Sequence, residues 1–437
     1  MTGWDTPLCQ ELGCRYPLVL AGMGGVSRAE LVGAVTEAGG FGFLGMVREP
    51  PELIAREVEA LRRAGHARFG VNLIPAATPP KLLEAELATC LALEVPVMAL
   101  FWDIDRAVVR RLRDAGILVV YQVGSVEEGQ EAVAAGAQVL IAQGVEAGGH
   151  VRGTTPLFTL LPALARAVDV PVLAAGGIVE AGDVAAALAL GAQGAVLGTA
   201  MIATRESFAH DVHKARLLAA RGEDTVLTDA FHINWPDGAR VRVLDCPVTQ
   251  GLRGDPWAGA PRVIGSDEGR PICLFSTDSP LRSTTGDLEE MALYAGAGVG
   301  RLTQLTTAGR RLARLVAETE LLLRLPGGRG EAELASPVCY AGISPEYMGY
   351  LDHAGLVAAL EGLRRRAASA LQAATRGSAP ERRYARWVLM LAALLAELEG
   401  HPPPPPEPAE VPSPDEAAQL VAGARALLPK VFEARVG

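Results

Sequence analysis

PVLAAGGIVEAGDVAAALALGAQGAVLGTAM, residues Pro171 to Met201, reads as one complete strand–helix–strand unit. PVLAAGGI is an almost unbroken apolar run that ends in two glycines. EAGDVAAALALG has helical composition and closes on a glycine, the residue favoured just past a helix end. GAVLGTAM is apolar again. Strands without polar alternation are those buried on both faces, the condition of a parallel sheet. Working outward, further apolar runs begin at Pro17, Phe41, Phe69, Val95, Ile117 and Gln138. With Pro171 and Gly194 they number eight, spaced 21–33 residues apart. Several intervening segments open with Ser, Asp or Pro, residues suited to an N-cap or first helical turn, and close with Gly. Eight such units predict a (β/α)8 TIM barrel. A doubly wound sheet is the alternative, but the count and steady spacing favour the barrel.

A barrel carries its chemistry at the C-terminal ends of its strands. Those ends are Gly22-Met23, Asn72, Trp102-Asp103, Gln122, Gln143 to His150, Gly176-Gly177 and Gly198-Thr199. QGVEAGGH, Gln143 to His150, is the strongest signal. Gly144, Gly148 and Gly149 let the backbone approach a ligand closely. Gln143 and Glu146 add polar side chains, and His150, on a loop, is expected to titrate near neutral pH. The bland reading is a loop with a solvent histidine. AAGGI (Ala174–Ile178) and VLGTA (Val196–Ala200) end strands seven and eight, where barrels commonly hold a phosphate on free backbone N–H groups. Thr199 adds a hydroxyl. The alternative is two tight turns that need glycine for geometry alone. No Walker-type loop is present, and GMGG at Gly22–Gly25 is no Rossmann fingerprint. Asp105 reads as a helix cap rather than a substrate contact. His210 and His213 stand three apart without the acidic partner of a metal helix.

The net charge of −10, 40 basic against 50 acidic residues, argues against a duplex nucleic acid or polybasic membrane partner. Six cysteines form no disulfide framework, and they read as free thiols of a cytoplasmic protein. The opening MTGWDTPLCQELGC lacks the basic-then-apolar pattern of a signal peptide. The barrel domain is expected over residues 1–325, with an irregular excursion at about 206–280. A helical C-terminal extension over 326–437 follows, interrupted by a polyproline spacer at 402–406.

Taken in order, the His150 loop and the two glycine loops resemble the nitronate monooxygenase family, formerly called 2-nitropropane dioxygenases. Its relatives, the FMN-dependent enoyl-ACP reductases, share the pattern. Those proteins are FMN-containing TIM barrels with a Q-G-x-E-A-G-G-H loop, an A-A-G-G-I loop and a G-T-R-F stretch. PLVLAGMGGVS, GVNL at Gly70, DTVLTDAF at Asp224 and TGDLEEMALYAGAGVG at Thr285 extend the likeness over roughly residues 7–325. The resemblance implies FMN as cofactor and His150 as catalytic base. It implies flavin neighbours at Gly22, Met23, Asn72, Gln122, Gln143, Gly148, Gly149, Gly176, Gly177, Val196, Leu197, Gly198 and Thr199. Two positions depart from the pattern: Ala200-Met201 stands for Arg-Phe, and Gln122 for a lysine common at the fifth strand. The implied reaction is oxidation of an alkyl nitronate or nitroalkane by O2 to a carbonyl compound plus nitrite or nitrate. The rival is an NAD(P)H-dependent flavin reductase acting on enoyl-thioesters or quinones. A third, non-enzymatic reading is a partner-binding scaffold, and the tail helices leave a homodimer contact open.

Overall fold

Barrel strands must bury both faces, and the alternation of side chains along each strand decides which residues fill the interior. The computed structural model describes Trp4 and residues 6–324. Its barrel half runs α1 (Pro7–Leu12), β1 (Leu18–Leu20), α2 (Ala29–Glu37), β2 (Phe41–Gly45), α3 (Pro51–Arg63), β3 (Gly70–Leu73), α4 (Pro80–Ala92) and β4 (Val97–Phe101). It continues α5 (Arg106–Asp114), β5 (Leu118–Val123), α6 (Val126–Ala135), β6 (Val139–Gln143), β7 (Gly149–Val151), α7 (Leu157–Ala167), β8 (Val172–Ala175), α8 (Ala181–Ala189) and β9 (Gly194–Leu197). Strands β1-β2-β3-β4-β5-β6-β8-β9 close into a parallel barrel, all eight of them the expected apolar runs.

Val19, Phe41, Phe43, Val97, Val120, Val139, Leu173 and Val196 point inward and pack with Leu8 and Leu12 of α1. Their sequence neighbours Leu18, Leu20, Leu44, Leu140 and Leu197 point outward, into the layer shared with the helices. Local chemistry starts the helices where the sequence says. Asp105 accepts from the Ala107 and Val108 amides at 3.0 Å, so it is the cap of α5. Ser125 caps α6 by accepting from Glu128. On α5 the buried residues are Val108, Val109 and Leu112, while its arginines ride the outer face.

The short α9 (Thr199–Ile202) follows the last barrel strand. The chain then leaves the barrel through α10 (Asp211–Ala219), β10 (Thr225–Thr228), β11 (Arg240–Leu244), β12 (Val263–Asp267), β13 (Arg270–Cys273) and β14 (Thr284–Gly286). It rejoins the barrel layer in α11 (Ala308–Arg324), whose Leu312, Leu315 and Val316 pack in the outer core. The excursion carries two three-stranded sheets, ordered β10-β11-β7 and β13-β12-β14. Its own core gathers Phe231, Val241, Val243, Ile264, Ile272 and Met291. The chain divides into compact units at 319/320, and the barrel belongs to the first. The expected helical extension and polyproline spacer lie outside the described residues. No helix among the described residues is long and apolar enough to cross a membrane.

Candidate active site

A cavity of about 440 Å³ opens at the C-terminal mouth of the barrel. Gly22, Met23, Asn72, Gln122, Gln143, Gly148, Gly149, His150, Gly176, Gly177, Val196, Gly198 and Thr199 all line it. Leu197 is the exception among the candidates. Alternation along β9 sends its side chain, fully buried, into the outer core, so only its backbone neighbours the site.

The loops that frame the cavity are tight because side chains are missing where backbones meet. A Cβ on Gly22 would stand 2.3 Å from the Asn72 Cβ. Asn72 is itself held by donating its amide to the Ala99 carbonyl at 3.1 Å. A Cβ on Gly148 would stand 2.5 Å from the Gly296 nitrogen. Gly198 is different: a Cβ there meets nothing within 4 Å. The excursion pins these loops from above. Thr199 Oγ1 accepts from the Gly296 amide at 2.9 Å, Arg301 donates to the Gly177 carbonyl at 2.6 Å, and Arg242 donates to the Val145 carbonyl at 2.9 Å.

His150 is not on a loop. It sits in β7, opposite Val241 of β11, because the excursion supplies an antiparallel partner. Gln143 reinforces this placement. Its amide nitrogen donates to the His150 carbonyl at 2.8 Å, and its oxygen accepts from the Arg152 amide at 3.0 Å. The imidazole stacks on Trp235, with ring centres 3.2 Å apart and planes 10° from parallel. Trp102 and Tyr294 approach it at 6.3 and 6.0 Å. Its Nε2 is buried and has no hydrogen-bond partner. Burial first, and the Arg48 charge second, hold the imidazole well below its ordinary pKa. The expectation of titration near neutral pH is therefore corrected: the surroundings of His150 favour its uncharged imidazole. Desolvation of the charged form is the main reason, and one of the rings packed on the imidazole, Trp235, belongs to the excursion.

Other candidates find structural work. Glu146 turns away from the cavity and accepts from the Leu157 amide at 3.0 Å, at the start of α7. Asp103 pairs with Arg152 at 2.9 Å. His210 caps α10 by accepting from Val212, and buried His213 bonds the Tyr294 carbonyl at 3.0 Å. Sequence reading missed Arg48, Glu49, Ile74, Phe101, Trp235, Tyr294 and Gly296, which complete the cavity wall. Of these, Trp235 and Tyr294 lie in irregular chain, where no periodicity marks a facing surface. Only the rule that strand ends carry function pointed near Phe101.

Glycine loops and a buried histidine with an unpartnered nitrogen meet in one cavity at the barrel mouth, where barrel enzymes carry their chemistry. Comparison with known proteins agrees. The family described as nitronate monooxygenase matches residues 5–318, and the chain belongs to that family. It is a flavin-dependent oxidoreductase. A Mycobacterium tuberculosis protein, (3aS,4S,5R,7aS)-5-hydroxy-7a-methyl-1-oxo-octahydro-1H-indene-4-carboxyl-CoA dehydrogenase, is 33% identical over 267 residues, covering 60% of this chain and 73% of that one. A probable nitronate monooxygenase of Staphylococcus haemolyticus is 29% identical over 272 residues, 52% of this chain and 76% of that one. Among solved structures, FabK from Thermotoga maritima superposes with a TM-score of 0.61 at 26% identity, covering 73% of this chain and 97% of that one. The nitroalkane oxidase of Streptomyces ansochromogenes gives 0.58 at 33% identity, covering 72% and 98%.

Proposed function

We propose that the chain binds one non-covalent FMN per molecule and oxidises a nitroalkane or its nitronate with O2, giving a carbonyl compound and nitrite or nitrate. The observation that carries this reading is the neutral, unpartnered Nε2 of His150 in a cavity framed by glycine loops. The residues fit the cofactor. Open space beyond Gly198 and the positive-φ pair Gly176 and Gly177 (118° and 68°) leave room for a phosphate beside backbone N–H groups. Thr199 adds its hydroxyl. Gly22, Met23, Asn72, Gln122, Gln143, Gly148, Gly149 and Val196 would face the ring system. When bound, FMN supplies the electron-transfer chemistry.

The protein's own part is acid–base and positional. His150 takes the α-proton of a neutral nitroalkane onto Nε2; general-base catalysis of this kind contributes typically 10²–10⁴-fold. The stack on Trp235 and the Gln143 clamp on the β7 backbone hold the imidazole at one orientation. Phe101, Ile74 and Trp235 keep water from the proton-transfer path and favour an apolar substrate body.

A second reading is that NAD(P)H reduces the cofactor and the acceptor is an enoyl-thioester or quinone; the likeness to a carboxyl-CoA dehydrogenase favours a thioester. Anaerobic absorbance titration of the purified protein separates the two. Bleaching of the yellow colour by ethylnitronate, with NADH and NADPH inert, supports the oxidase. Bleaching by a nicotinamide, with nitro compounds inert, rejects it.

A further inference from the structure

Arg48 stands on the rim segment after β2 and lines the same cavity as His150. Its backbone is left-handed, with φ 59°. For a non-glycine residue that conformation is costly and persists only where the surroundings over-determine it, most often at a functional site. The excursion holds the side chain. Arg48 Nη1 donates to the Asn234 carbonyl at 3.2 Å and Nη2 to Thr277 Oγ1 at 3.5 Å, and the half-exposed Asp278 carboxylate lies 3.8 Å away. Arg48 Nε is buried and has no partner. A guanidinium carries five donor hydrogens and cannot be neutralised in a protein. These contacts leave donors spare.

The other cation on the cavity wall, Arg270, is already engaged, 3.7 Å from Glu49 and 3.3 Å from Asp267. Glu49, Asp267 and Asp278 are the wall's carboxylates, so Arg48 is the cation with capacity left. The same wall also carries apolar Val47, Ile74, Phe101, Trp235 and Ile272. A planar fork of donors suits a planar anion with two oxygens.

We propose that Arg48 is a specificity-determining residue that docks a planar two-oxygen anion of the substrate, a carboxylate or the nitronate group itself, and so selects which molecules reach His150. This rests on reading the cavity as the substrate site, as above. It requires no particular oxidation chemistry.

The test uses the FMN-loaded full-length protein under anaerobic conditions, with R48Q and R48K beside it. Dissociation constants are read from the perturbation of flavin absorbance by two matched pairs, benzoate with benzamide and ethylnitronate with nitroethane. Flavin content is measured for each protein. The anion of at least one pair should bind the native protein about 10-fold tighter or more, the scale of a charge-assisted hydrogen bond. R48Q should bring that ratio within about 2-fold. R48K, which keeps charge without the fork, should fall between. If R48Q loses flavin, R48K decides: a clear fall in the ratio supports the inference and an unchanged ratio overturns it. No anion preference in the native protein, or an unchanged preference in R48Q, also overturns it. A preference confined to benzoate identifies a carboxylate as the docked group, and one confined to ethylnitronate identifies the nitronate. An Arg48-dependent benzoate preference in a protein that turns over no nitro compound leaves this inference standing and removes the nitronate reading instead.

Discussion

Replacing Gly198 by Asp separates the cofactor site from the fold. A Cβ at this position meets nothing within 4 Å, although the backbone, at φ −103° and ψ −90°, lies outside the regions side chains prefer. The apo protein should therefore stay folded, losing about 1–3 kcal/mol to backbone strain and nothing to steric clash. The new carboxylate, however, would project into the space proposed for the phosphate. At a separation of about 5 Å and an effective dielectric of about 20, two unit charges repel by about 3 kcal/mol. That weakens FMN binding by about 10²-fold or more per unit of phosphate charge. Gly198→Ala adds bulk without charge and should weaken binding less. The assay is the flavin-to-protein ratio of the purified variants, an FMN titration of each apo form, and a thermal melt of each apo form. Full flavin content in Gly198→Asp would refute the placement of the phosphate. A large loss of apo stability would refute the claim that the space at Gly198 is free.

Three further outcomes follow from the same geometry. Gly22→Ala must push Asn72 off its bond to the Ala99 carbonyl, since its Cβ would stand 2.3 Å from the Asn72 Cβ; a cost of about 1–3 kcal/mol in urea unfolding is expected, and an unchanged midpoint contradicts it. Gln143→Ala leaves the His150 carbonyl and Arg152 amide without partners, so stability should fall by about 1–3 kcal/mol per buried orphan, with turnover falling too; a variant matching the native protein in both rejects the clamp. The acid limb of kcat/KM for a neutral nitroalkane should lie well below pH 6.5, because the base acts when deprotonated and His150 is held low; Arg48→Gln removes the smaller cause and should move that limb upward, so a downward move or none denies the coupling.

The barrel was legible because parallel strands buried on both faces leave unbroken apolar runs, and because Asp105 and Ser125 cap the helices that follow. The glycine loops were legible because close backbone approach leaves glycine as the residue that fits, as at Gly22 and Gly148. A motif names residues in a row, whereas a strand turns alternate side chains away, so the side chain of Leu197 faces the outer core. His150 was expected on a loop because its strand exists only by pairing with Arg240–Leu244, some ninety positions later in the chain. No local pattern carries such pairing. The same distance hid Trp235 and its stack on the imidazole. Arg48 drew no reading in the sequence. Only its left-handed backbone and its unpartnered Nε mark it out.

The central claim is that His150 removes a proton from carbon, and His150→Asn tests it most directly. Turnover of a neutral nitroalkane should fall about 10²-fold or more, while turnover of the preformed nitronate, which needs no deprotonation, falls far less and flavin content stays near native. Equal losses on the two substrates, or no loss on either, with flavin retained would contradict the account.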